Sequence, residues 1–283
     1  MRASFASASP MTSGSTPSEL RLTLCQVAAV ADVETNLRKA ESAFEEAQTQ
    51  QSDLIIFPEN IFFRGSQDEV RTVGLSRDEF VARLGGYSRQ SEVCAVWGGT
   101  PVRRAGNFYN TALIISASGE LIAEYAKAHL FEYHGSDQQL DETTLYDRGQ
   151  SPLAFELKDW RIGMTICYDL RFPELYRVFA GAHLILCTAE FTHTTGKAHW
   201  EVLLRARAIE NQCYVAGVNQ CGINPSLSVK AYGHSMVIDP WGEILTVAEE
   251  SETCLHCVIQ KNRIHDVRSR IPALQSIAHR IEW

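Results

Sequence analysis

Three side chains in this chain are of types that do chemistry together: the carboxylate of Glu59, the amine of Lys127 and the thiol of Cys167. Cys167 closes the apolar run Arg161-Ile-Gly-Met-Thr-Ile-Cys167 and is followed at once by Tyr-Asp-Leu-Arg-Phe-Pro-Glu174. A strand that delivers a cysteine and then breaks into a helix presents a nucleophile. Pro173 suits the first helical turn, where its missing N–H costs nothing, and Glu174 complements the positive helix end. Glu59 follows Asp53-Leu-Ile-Ile-Phe-Pro58, a short buried strand stopped by its proline. Lys127 interrupts the apolar and aromatic segment Glu124-Tyr-Ala-Lys-Ala-His-Leu-Phe131 near a strand end.

Each of the three has a bland reading when taken alone. Most free cysteines are inert buried hydrophobes, a lone glutamate is usually solvated or capping, and an edge lysine usually snorkels. Together they form a catalytic proposition. A thiol needs a base to take its proton, and a semi-buried carboxylate can serve. The tetrahedral intermediate of acyl transfer needs a positive charge or aligned donors, and an ammonium supplies one.

The segments Phe57-Pro-Glu59-Asn, Lys127-Ala-His-Leu-Phe and Ile166-Cys167-Tyr-Asp-Leu-Arg-Phe-Pro-Glu174, in that order, resemble the Glu–Lys–Cys signature of the nitrilase superfamily of carbon–nitrogen hydrolases. The resemblance runs on through Thr194-Thr-Gly-Lys-Ala-His199-Trp and Tyr232-Gly-His-Ser-Met-Val-Ile-Asp-Pro-Trp-Gly242, covering residues 20 to 275. These later segments are most similar to the amidase branch that holds the omega-amidases and deaminated glutathione amidases. The resemblance implies Cys167 as nucleophile, Glu59 as general base and Lys127 as oxyanion stabiliser. It also implies a second glutamate that orients the lysine or the substrate amide. Glu142 matches best, with Asp141 adjacent. The backbone N–H of Tyr168 would complete the oxyanion hole. Tyr168, Glu190, Phe191 and His199 are the expected substrate contacts, His199 being either structural or substrate-adjacent. The implied substrate is a small linear amide, deaminated glutathione or a similar ω-amide, with no metal and no organic cofactor. Nitrile hydrolysis and a catalytically silent scaffold are the alternatives. A redox sensor is disfavoured, because no cysteine neighbours Cys167 in sequence.

Composition narrows the other classes. The chain has 283 residues, 45% of them apolar, enough to bury a large core. No run approaches the eighteen or so apolar residues of a membrane span. With 34 acidic against 26 basic residues, the net charge is −8 and there is no basic block, which argues against nucleic acid as a partner. The eight cysteines have no disulfide-scaffold spacing and fit reduced thiols in a cytoplasmic compartment. Cys254-Leu-His-Cys257 invites a zinc reading, but it reads as a strand, where positions i and i+3 point to opposite faces. Residues 1–19 are rich in Ser, Ala and Thr and cannot bury enough surface to order themselves. They read as a disordered extension before a hydrolase domain at 20–283, an organellar address being the alternative.

The elements that must position these groups alternate. Strands are expected at 20–30, 53–57, 94–102, 110–117, around Lys127, before Cys167, and at 183–188, 213–219, 233–239, 244–248 and 253–259. Helices are expected from Asp32 to about Gln50, from about Ser76, after Pro173 and from about Lys197 to Gln212, the last with Val202, Ala206, Ile209 and Cys213 along one stripe. Residues 132–152 read as a polar loop without periodicity, and the last 25 residues as a polar tail packing on a partner or trailing across the surface. The pattern is α/β with mixed sheets. The resemblance sharpens it to an α-β-β-α four-layer sandwich that pairs as a homodimer, or a larger homo-oligomer, through helices near the cysteine.

One departure stands out. Relatives in the branch carry a small residue before the phenylalanine that follows the strand after the Cys strand, whereas this chain reads Thr188-Ala-Glu190-Phe191. A pocket-facing Glu190 would repel an acidic substrate and favour a neutral or cationic one. Its desolvation requires a partner, for which Lys197 or His193 is the sequence-level choice.

Overall fold

A computed structural model describes residues 18–134, 139–224 and 226–277. Most of the expected N-terminal extension therefore lies outside the described residues. From Glu19 the chain runs as strand β1 (Glu19–Gln26), helix α1 (Val33–Thr49), β2 (Leu54–Phe57), α2 (Gln67–Val73), α3 (Arg77–Ser91), β3 (Cys94–Arg104), β4 (Asn107–Ile115) and β5 (Leu121–Ala126). A small ribbon follows, β6 (Glu132–His134) and β7 (Gln139–Asp141), then β8 (Leu153–Leu157), β9 (Trp160–Ile166), α4 (Pro173–Val178), β10 (Leu184–Ala189) and α5 (His193–Asn211). The chain ends with β11 (Tyr214–Asn219), β12 (Met236–Ile238), β13 (Ile244–Val247), β14 (Thr253–Gln260) and α6 (Lys261–Arg270).

Two six-stranded sheets, ordered β14-β1-β2-β3-β4-β5 and β13-β12-β11-β10-β9-β8, pack face to face. The strand pattern explains the layering. In β2, Leu54 and Ile56 enter the cluster shared with Ile162, Met164 and Leu186 of the other sheet, while Ile55 and Phe57 join Leu37, Phe44 and Phe80 of α1 and α3. A strand buried on both faces must be apolar at every position, and all four residues are fully buried. Helices α1 and α3 cover one sheet and α4 and α5 the other, which is the expected four-layer sandwich. Among the described residues no helix is long and apolar enough to cross a membrane.

Several elements depart from the sequence reading. The stretch 132–152 holds the β6–β7 ribbon and a 3₁₀ turn at Glu142–Thr144 rather than an unpatterned loop. Strand β8 pairs with β9 through a two-residue turn in which Lys158 and Asp159 both have positive φ, 47° and 63°. Helix α2 begins with a capping box, Ser66 with Glu69, a signal visible in the sequence as Ser-Gln-Asp-Glu. The buried stripe of α5 is Trp200, Leu204, Arg207, Ala208 and Asn211, whereas Val202 and Ile209 are 67% and 51% exposed. Both stripes have helical spacing. The side carrying Trp200 and Leu204 wins because Gly217 of β11 leaves room for those two side chains. The C-terminal helix α6 does not trail across the surface. It buries Ile264 and Val267 against the body. Cys254 and Cys257 lie on β14 and pack into different clusters, on opposite sides of the sheet.

Candidate active site

Strand β2 stops at Phe57, and Pro58 passes the chain to Glu59, whose side chain is 2% exposed. Room for it comes from β3, where the register slips between Trp97 and Thr100 at Gly98-Gly99. Gly99 has φ +56°, and a Cβ there would stand 2.7 Å from both Glu59 Cγ and Asn110 Oδ1. The bulge therefore needs glycine. Glu59 Oε1 accepts from Asn110 Nδ2 at 2.8 Å and from Lys127 Nζ at 2.9 Å, and Oε2 accepts the Glu190 N–H at 2.9 Å.

Lys127 is the first residue beyond β5, tied by its N–H to the Asn110 carbonyl at 2.8 Å and 1% exposed at its side chain. Its ammonium donates to Glu59 Oε1, and at 3.0 and 2.8 Å to Glu142 Oε1 and Oε2. Burial opposes the lysine charge, but Glu142 and Glu59 outweigh it and hold its pKa well above the ordinary value. Glu142 also accepts the Phe131 N–H at 2.7 Å. Burial raises its pKa, and Lys127 offsets that only in part. The adjacent Asp141 instead accepts from the Thr143 N–H and hydroxyl, so Glu142 is the residue that reaches the lysine.

Cys167 follows the last residue of β9 with φ +49°, a conformation costly for a side chain with a Cβ and one that turns the thiol out of the sheet. The fully buried carboxylate of Asp169 holds this bend. It accepts from the Ile166 N–H at 3.0 Å and the Tyr125 hydroxyl at 2.7 Å. It also meets the N–H and Nδ1 of His129 at 3.0 and 2.8 Å. Tyr125 and His129 flank Lys127, so a single carboxylate joins the lysine segment to the cysteine bend. Burial, and then the Glu59 charge, push the Cys167 thiol well above its usual range, while Lys127 pulls the other way. The resting side chain is a neutral thiol. The thiolate absorbance difference between the wild-type protein and a Cys167→Ser variant should accordingly stay flat up to about pH 9. A Cys167-dependent rise near neutral pH would mean a preformed thiolate and no need for a base.

These groups open onto one cavity with two lobes. The larger, about 130 Å³, is lined by Glu59, Lys127, Glu142, Cys167 and Glu190, with Phe63, Leu145 and Tyr146 among its apolar walls. The smaller adds Tyr168, Arg171, Phe191 and Thr195, and shares Cys167, Phe131, Glu190 and Thr192. His199 is not on either wall. It sits on the exposed side of α5, with Nδ1 3.3 Å from Arg171 Nη1, so it touches a residue of the smaller lobe rather than the lobe itself. Glu190 faces the cavity, and its partner is Arg64, not Lys197 or His193. Arg64 Nε lies 2.7 Å from Glu190 Oε1, Lys197 is exposed, and His193 lies 3.6 Å from Glu250. Sequence reasoning passed over Arg64, Asn110, Asp169 and Arg171. Asp169 and Arg171 stood inside the Cys-Tyr-Asp-Leu-Arg motif, whereas nothing local marked Arg64 or Asn110. Among the described residues no group of three or more His, Cys, Asp or Glu side chains is placed to hold a metal ion.

A buried carboxylate–amine–carboxylate cluster thus sits beside a bent, buried thiol on a sandwich of two mixed sheets. The carbon-nitrogen hydrolase family matches residues 21–269, and the chain belongs to it. It is 36% identical over 258 residues to a deaminated glutathione amidase of Synechocystis, spanning 87% of this chain and 92% of that protein. It is 32% identical to the omega-amidase NIT2 of Mus musculus, spanning 91% and 95%. A crystal structure of a CN-hydrolase superfamily protein from Xanthomonas campestris, with an arsenic adduct in its active site, superposes with a TM-score of 0.85. That structure is 29% identical, over 94% of this chain and 99% of the other.

Proposed function

We propose that this protein hydrolyses a small linear amide through a thioester on Cys167, releasing ammonia and a carboxylic acid. The observation that carries the reading is the Glu59–Lys127–Glu142 cluster opening with Cys167 onto one cavity. Cys167 Sγ attacks the amide carbon as Glu59 takes the thiol proton, which the raised thiol pKa requires to happen in the same step. Lys127 and the Tyr168 N–H receive the oxyanion. Glu59 passes the proton to the departing nitrogen, the C–N bond breaks, ammonia leaves and the thioester remains. Water then gives its proton to Glu59 and attacks the thioester. The carbon–sulfur bond breaks, the sulfur recovers its proton and the acid departs. Glu142 keeps Lys127 charged and aimed. Phe191, packed against Trp200 with the rings tilted by 53° and 4.9 Å between centroids, shapes the smaller lobe.

The names of the relatives point to ω-amides, deaminated glutathione and glutamine-derived keto-amides being the first to assay. The Arg171 guanidinium lies 5.8 and 5.4 Å from the ring centroids of Tyr168 and Phe191, and no carboxylate among the described residues pairs with it. It is a ready anchor for an acidic group of such a substrate. Ammonia release from an amide panel, with Cys167→Ala as control, tests the reading. Release that persists in the variant, or silence on every amide, would end it.

The exposed Val202 and Ile209 of α5, the latter lining a surface cavity with Trp241, support a homodimer paired through that helix. Ile209→Asp should lower the mass seen by sedimentation to that of one chain, and an unchanged mass would place the contact elsewhere. Eight free cysteines support a reducing compartment such as the cytoplasm. The match from residue 21 supports a hydrolase domain that starts near residue 20, after a separate N-terminal extension.

A further inference from the structure

The wall of the larger lobe contains an ion pair whose two ends have different surroundings. The Arg64 side chain is fully buried at 0% exposure, while Glu190, its partner at 2.7 Å, keeps 14% of its side chain open. Both residues contribute charge, but only Glu190 is on the cavity wall. The negative end of the pair therefore faces whatever enters. The carboxylate is held rigidly in that pose. Asn60 Nδ2 donates to Oε2 at 2.8 Å, Asn224 Nδ2 reaches Oε1 at 3.4 Å, and Arg64 Nη1 is fixed by the Cys221 carbonyl at 2.8 Å.

The rest of the lobe does not counter this sign. Its acidic and basic wall residues among the described residues are Glu59, Asp141, Glu142 and Glu190 against the one cation Lys127. Lys127 is already engaged by Glu59 and Glu142. A substrate carboxylate in this lobe would meet a fixed carboxylate with no free cation beside it among the described residues. An ammonium or another hydrogen-bond donor would meet an acceptor already oriented and desolvated.

We infer that Glu190, backed by Arg64, is a specificity-determining residue that selects amides bearing an ammonium or a neutral donor, and rejects those with a carboxylate, at the end lying in the larger lobe. This inference rests on the amide-hydrolysis reading and adds the substrate class to it. The acidic anchor available at Arg171 lies on the smaller lobe, whose wall Glu190 also joins, and the selection inferred here concerns the substrate end in the larger lobe.

Three amides matched in length separate the cases: γ-aminobutyramide, pentanamide and glutaramate place an ammonium, a methyl or a carboxylate at the same position. kcat/KM should fall in that order in the wild-type protein, with glutaramate roughly tenfold or more below γ-aminobutyramide. Glu190→Gln should compress that ratio by about tenfold. Because this variant leaves the Arg64 charge buried without its partner, the double variant Arg64→Met/Glu190→Gln, which removes both charges, serves as the second reading and should show the same compression. Glutaramate turned over as well as γ-aminobutyramide by the wild-type protein, or a ratio unchanged in the folded double variant, overturns the inference. Binding of the same amides to Cys167→Ser, followed calorimetrically, makes the reading independent of turnover. Tighter binding of the amine than of the acid supports the selection even if no amide is hydrolysed, a result that would sink the amidase reading alone. Equal binding overturns the selection.

Discussion

Glu59→Gln is expected to lower kcat for amide hydrolysis by at least about a thousandfold while the protein stays folded. A positioned base contributes roughly 10²–10⁴ to one proton transfer, and this carboxylate serves both the acylation and the hydrolysis of the thioester. The neutral thiol leaves no way around it. Burial pushes the Cys167 proton's pKa up, so the nucleophile has to be deprotonated during attack. Glutamine is nearly the same size, and its oxygen can still accept from Asn110 and Lys127. Its amide nitrogen would replace Oε2, setting a donor against the Glu190 N–H, so a modest loss of stability accompanies the kinetic loss. Steady-state kinetics beside a thermal melt separates the two. A variant that keeps a tenth of the wild-type rate would show that another group moves the proton.

Lys127→Met should also cripple turnover and be far more damaging to the fold. Loss of an oxyanion donor costs about 10²–10³ in kcat. The lysine also sits between Glu59 and Glu142 at 2.9 and 2.8 Å, and removing it leaves two buried carboxylates without a cation. Stripping one partner from a buried ionic cluster costs on the order of 3–5 kcal/mol. The sign of the pH dependence follows from Glu142. Its pKa in the folded protein is already raised by burial, and Lys127 is the charge that holds it down. Without the lysine it rises further above the unfolded value. A carboxylate with a raised folded-state pKa destabilises the fold as pH climbs from the unfolded pKa through the folded one. The variant should therefore regain stability on acidification, its deficit from wild type being smaller at about pH 5 than at about pH 8 in urea titrations. A deficit independent of pH would mean that the carboxylates are not what the lysine compensates.

Much of the framework was legible because its elements have local causes. Leu54–Phe57 is apolar at every position since both faces of β2 are covered, and Asp32 caps α1 by accepting from the Thr35 N–H. Glu59, Lys127 and Cys167 stood out because each breaks an apolar strand at its end. What stayed hidden acts across long sequence distances. Arg64 and Glu190 are 126 positions apart, and their pairing depends on how the two sheets meet. Asp169 looked like one more motif residue, although its value lies in contacts to Tyr125 of the opposite sheet and to His129 just beyond that strand. On α5 two stripes shared the helical period. Hydrophobicity alone did not decide between Val202 with Ile209 and Trp200 with Leu204; the glycine on the neighbouring strand did. The same ambiguity left an apolar stripe facing outward, where a second chain is proposed to sit.

The central claim is the covalent one, and a single measurement addresses it. The wild-type protein is mixed with its best amide substrate, quenched in acid during turnover, and weighed intact and after proteolysis. The account predicts a fraction of the protein heavier by the substrate's mass less ammonia, with the added mass on the peptide carrying Cys167 and removable by hydroxylamine. Sustained ammonia release with no acyl group on Cys167 at any quench time, under conditions that preserve a thioester, would contradict it.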